Sequence, residues 1–142
     1  MIEQAERWLK ELFAPWVQGL GLRVASVRPG EAVLVLPFEP KPCRVGGVVC
    51  WQALTAAADA SVVIAISAQL GEGRPTSTVS PNITCMPAIA DTGARITARC
   101  SGRRGGLTGR KCAASVFTSW LIRSGRHRRD AGLRAQRRRR RP

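Results

Sequence analysis

The sequence predicts an α+β fold, an antiparallel sheet lying against one long central helix. Three observations carry this. Two β-rich runs, LRVASVR (22–28) and EAVLVLPF (31–38), come first. An Ala-rich apolar stretch from about Val49 to Leu70 follows, too long for a strand. Further β-rich segments come after it, among them ARITARC (94–100), which alternates apolar and polar residues.

The elements follow in order. Ala5, Trp8, Leu9 and Leu12 recur at helical spacing, with Glu and Lys on the other face, and Pro15 ends that helix. The two β-runs are joined by Arg28-Pro29-Gly30-Glu31, whose central Pro-Gly fits a type II turn. Residues 39–47, EPKPCRVGG, read as a Pro- and Gly-punctuated loop. Gly71 and Gly73 are stop signals for the central helix. TSTVSPNITCM (76–86) reads as a strand that Pro81 confines to an edge or a bulge. Asp91-Thr92-Gly93 reads as a turn, and CAASVFTSWLI (112–122) as one more strand.

The chain has 142 residues, room for a single core, and a net charge of +14. That charge is unevenly placed. Residues 1–100 hold nine Lys/Arg and eight Asp/Glu, whereas residues 101–142 hold fourteen Lys/Arg and one Asp. Residues 123–142, RSGRHRRDAGLRAQRRRRRP, carry ten arginines, no aromatic and a single large aliphatic, Leu133. The expected organisation is a folded domain over 1–122 and an Arg-rich disordered tail over 123–142. Such a tail holds nucleic acid non-specifically, through phosphates. The composition shift after about residue 101 is also what a displaced reading frame in a GC-rich gene produces, which translation of the other two frames would test.

No basic-then-apolar leader is present and no apolar run suits a membrane span, so a cytoplasmic protein is expected. The five cysteines (43, 50, 85, 100, 112) have no CxxC spacing and only His127 to assist them. Neither a zinc site nor a disulfide framework is expected, and the cysteines read mainly as small fillers.

One residue in the central helix needs a reason. Asp59 is the only charged residue in VVCWQALTAAADASVVIAI (48–66), and an ionised carboxylate is costly to bury without partners. Asp59 either caps a second helix beginning at Ala60 or is placed for chemistry.

Gly46-Gly47, Cys50, Gln52-Ala53-Leu54, Ala56-Ala57-Ala58-Asp59, Gly71-Glu72, Arg74-Pro75, Thr78-Val79 and Asn82 form a pattern over roughly residues 17–100. It resembles that of the hotdog-fold acyl-CoA thioesterases of the phenylacetic-acid-degradation (PaaI-like) type. In that family a sheet wraps a central helix, and a motif like His-Gly-Gly opens the helix nine residues before a catalytic acid. Cys50-Trp51-Gln52 stand in the motif's three places and Asp59 in the acid's. The chain departs from the pattern at three points. Trp51 replaces a glycine, Gly73 stands where an aromatic residue is usual, and Cys85-Met86-Pro87 replaces part of an aromatic-Leu-Arg-Pro run.

The resemblance implies thioester hydrolysis with acyl-CoA as substrate. Coenzyme A is then part of the substrate, and no separate cofactor or metal is needed. It also implies a homodimer or homotetramer, with sites formed between subunits. Hydrolysis needs water delivered to a carbonyl carbon and donors aimed at the developing oxyanion. The backbone of Cys50, Trp51 and Gln52, at the helix start, supplies such donors. Asp59, on the face of Gln52 and Thr55, supplies a general base or nucleophile, and Gln52 either contacts substrate or holds Asp59. The Trp51 indole either fills substrate space or forces the loop away from oxyanion geometry. Arg44 could meet a phosphate or remain a solvated loop charge. The rival readings are a catalytically impaired hotdog module that binds acyl thioesters, and a basic-tailed nucleic-acid-associated protein.

Overall fold

A computed structural model of the chain describes residues 1–74, 76, 89–90, 92–101 and 111–118; at 101, 111–112 and 116–118 it describes the backbone alone. The strand expected over 76–86, the turn residue Asp91 and the tail over 123–142 therefore fall wholly or almost wholly outside the described residues.

Helix α1 spans Ile2–Glu11 and buries Ala5, Trp8 and Leu9, the face expected from their spacing. Pro15 does more than end it. Pro15 occupies the first turn of a short second helix, α2 (Pro15–Gln18), where its fixed φ and missing N–H cost nothing. Strands β1 (Arg23–Arg28) and β2 (Glu31–Leu36) form the expected hairpin, with Gly30 at φ +78°. That positive φ is what glycine supplies to a type II turn. The Glu6 carboxylate accepts a hydrogen bond from the Val24 N–H at 2.6 Å, which ties α1 to β1 at one edge of the described sheet.

The 39–47 segment is not wholly loop. Strand β3 (Cys43–Arg44) pairs antiparallel with β4 (Val48–Val49), Cys43 opposite Val49. Gly46 and Gly47 make the turn between them at φ +91° and +69°. Because Val48 and Val49 belong to this ladder, the central helix α3 begins at Trp51 instead of Val49, and runs to Leu70. Gly71 closes it in the left-handed conformation, its N–H donating to the Ser67 carbonyl at 2.9 Å.

After α3 come β5 (Ala94–Ser101) and β6 (Lys111–Thr118), which complete a four-stranded antiparallel sheet in the order β1-β2-β5-β6. The strand expected from 112–122 is thus present over 111–118. Ala94, Ile96 and Ala98 of β5 and Ala32, Leu34 and Leu36 of β2 are fully buried. They meet Ala57, Ala60, Ile64 and Ala65 of α3, equally buried, in two core clusters. The alanines let the helix axis approach the sheet closely. By length and composition α3 could cross a membrane, but its contacts with β1, β2, β5 and β6 make it the core helix of this domain.

Two features of the fold carry predictions. On the outer face of the sheet, Glu31 lies between Arg28 (2.9 Å) and Arg99 (2.7 Å). Hydrogen bonds from Arg28 and then Arg99 hold its carboxyl below the ordinary carboxylate range. The contribution to stability is therefore present above the unfolded-state pKa and is lost as pH falls through the depressed folded value. Urea unfolding should show Glu31→Gln less stable than wild type at neutral pH, with the gap closing under acid. A gap independent of pH would refute this.

The second feature is Gly73. A Cβ built there would lie 2.5 Å from Cδ1 and 2.6 Å from Nε1 of Trp8, a core residue. The indole of Trp8 thus occupies the space into which a side chain at 73 would project. Gly73→Ala should cost about 1–3 kcal/mol through overpacking, read as a lower urea midpoint. Trp8→Ala should abolish that penalty.

Candidate active site

The start of α3 is set by the β3–β4 ladder. The Cys50 N–H donates to the Pro42 carbonyl at 2.9 Å, and the Val49 N–H to the Ile89 carbonyl at 2.9 Å. Cys50 is the N-cap, in extended conformation (φ −69°, ψ 144°) and with no side-chain cap hydrogen bond. Its carbonyl accepts from the N–H groups of Ala53 (3.1 Å) and Leu54 (3.3 Å). The N–H groups of Trp51 and Gln52 precede those bonds and have no acceptor within the helix. One expectation is corrected here. The Cys50 N–H is engaged by Pro42, so the donors at this helix start are those of Trp51 and Gln52.

Trp51 is 62% exposed, and the helix opens regularly beneath it. In the single chain this side chain stands in solvent, over a regular helix start. Gln52 is exposed and Thr55 half-buried. Asp59 is exposed, in the third turn of an unbroken helix. That continuity removes the alternative in which Asp59 caps a second helix at Ala60.

Asp59 stands seven positions after Gln52, which brings them to within about 20° of each other around the axis. Gln52, Thr55 and Asp59 share one stripe of α3, and half-buried Val62 and Ile66 continue it. The same spacing separates them by about 10 Å along the axis. A carbonyl within hydrogen-bond reach of the Trp51 and Gln52 N–H groups is thus too far from Asp59 of the same helix for that carboxylate to act on it. The helix-start donors and the carboxylate of one copy of α3 therefore cannot meet at one ligand atom.

Cys50 is half-buried and packs on the cluster of Leu36, Val49 and Ala53. His127 lies outside the described residues. Arg44 is exposed in β3. Among the described residues no three His, Cys, Asp or Glu side chains are grouped to hold a metal ion. A cleft lined by Glu6, Leu9, Lys10, Val17, Gln18 and Leu22 contains none of residues 50–59. Two residues that position the site had no sequence signal: Pro42 and Ile89 act through backbone carbonyls, which any residue type provides.

No family model matches the sequence, and no curated protein does. Solved structures do. A conserved protein from Pseudomonas aeruginosa superposes with a TM-score of 0.68 at 25% identity, over 78% of this chain and 86% of its own. Zebrafish thioesterase superfamily member 2 gives 0.68 at 21%, over 84% of each chain. The Escherichia coli PaaI protein of the phenylacetic acid degradation operon gives 0.67 at 16%, over 83% and 81%. At these identities the likeness establishes the fold, and the chain has the hotdog fold.

Proposed function

We propose, from the fold this chain shares with PaaI-like hotdog thioesterases, that it is a thioester hydrolase acting on acyl-CoA. The observation that supports this most directly is the pairing of two features on α3. Its N-terminus offers two backbone donors without helical acceptors, and an exposed carboxylate stands two turns on along the same stripe. In this reading the N–H groups of Trp51 and Gln52 receive the thioester oxygen and stabilise its negative charge at the tetrahedral stage. Asp59 takes a proton from the attacking water, or attacks directly, and the coenzyme A thiolate departs. Gln52 and Thr55 border the acyl carbonyl.

The 10 Å separation on one helix makes a second copy necessary. In a homodimer with antiparallel α3 helices, the carboxylate of one copy faces the helix start of the other, completing two equivalent sites. The reaction needs no metal or redox cofactor in this reading. Release of coenzyme A thiol from a panel of acyl-CoAs, short, long and aromatic, tests it. Turnover above the buffer blank for at least one thioester is expected. No turnover across the panel, with acyl-CoA still bound, would favour the non-catalytic module instead.

A further inference from the structure

We infer that Cys100 and Cys112 form a reversible cross-strand disulfide, a modification site that fastens β6 to β5. This rests on the strand register and is independent of the proposed hydrolysis. In the β5–β6 ladder Cys100 is directly opposite Cys112, between the pairs Arg99–Ala113 and Ser101–Lys111.

The kind of pair matters. The N–H and C=O of one strand residue point to the same neighbouring strand. The Cys100 N–H donates to the Gly30 carbonyl at 2.8 Å, on the β2 side of β5. Its backbone groups are thus turned away from β6, which makes Cys100–Cys112 a non-hydrogen-bonded pair. Cα atoms in such pairs are about 4.5 Å apart, inside the range of about 4.4–6.8 Å that disulfides span. Directly opposed residues also share a face of the sheet. For Cys100 that is the face of Ala94, Ile96 and Ala98, where it is half-buried against the core.

The other described cysteines have no such arrangement. Cys43 is opposite Val49 in its ladder, and Cys50 caps α3. Only 100 and 112 among the described cysteines are cross-strand partners.

The step balances with a low-molecular-weight disulfide as oxidant. One cysteine thiolate attacks a sulfur of the oxidant, forming a mixed disulfide and releasing one small thiol. The second thiolate attacks the protein sulfur of that mixed disulfide and releases the other small thiol. Two protein thiols are oxidised, one small disulfide is reduced, and the protons pass to the two released thiolates. The bond closes the connection 102–110 and fixes β6, at the edge of the described sheet opposite β1, in its register with β5.

The test uses the full chain incubated with oxidised glutathione, then denatured, alkylated and digested with trypsin. Cleavage after Arg99, Arg103, Lys111 and Arg123 leaves the two cysteines in separate peptides, Cys100–Arg103 and Cys112–Arg123. We expect the alkylatable thiols to fall from five to three, with these two peptides joined before dithiothreitol and separate after it. Five remaining thiols, a glutathione adduct that persists at either position, or a bond from either cysteine to a different one would overturn the inference.

Discussion

Asp59→Ala is expected to lower kcat for acyl-CoA hydrolysis by about 10²–10⁴-fold, the usual contribution of a positioned general base. Stability should move by no more than about 1 kcal/mol. Asp59 is exposed on α3, away from the buried Ala57, Ala60 and Ile64, so truncation opens no cavity. Alanine is also the better helix former. The combination separates catalysis from folding: activity lost, urea midpoint kept. Asp59→Asn keeps the shape but removes the basic oxygen, and should fall nearly as far. Rates equal to wild type in both variants would take Asp59 out of the mechanism.

The second large effect is expected at Trp51, through its backbone. Trp51→Pro deletes the N–H at the first helical position, where proline is well tolerated. A proline also demands an extended residue before it, and Cys50 already has φ −69° and ψ 144°. The fold should therefore accept the change. Loss of one oxyanion donor should cost about 10²–10³ in kcat. Trp51→Ala removes the exposed indole and keeps the N–H, and should retain turnover within about tenfold. Equal activity of the proline and alanine variants would show that this N–H does not serve the reaction.

Much of the fold was legible because period and punctuation agreed. Trp8 and Leu9 at helical spacing, Pro29-Gly30 between β-runs and alternation in ARITARC each gave the element found. The misreadings came where short-range chemistry lost to pairing. Cys43–Arg44 and Val48–Val49 make a two-residue ladder whose strength is backbone hydrogen bonding, invisible in side-chain pattern. The same ladder moved the helix start to Trp51 and engaged the Cys50 N–H with Pro42. The candidate carboxylate was easier to find, because a lone charge in an apolar run is conspicuous. Its distance from the Trp51 and Gln52 N–H groups follows from the continuity of α3 over Trp51–Leu70, which side-chain pattern alone leaves open. The Cys100–Cys112 register likewise depends on strand pairing, since the two residues share no motif.

The packing of Trp8 over Gly73 has a historical consequence. An indole and a side chain at 73 compete for one volume, so the two positions are epistatic. A tryptophan at 8 together with any side chain at 73 is disfavoured by that overlap, so the sizes of the residues at these two positions should be anticorrelated among relatives.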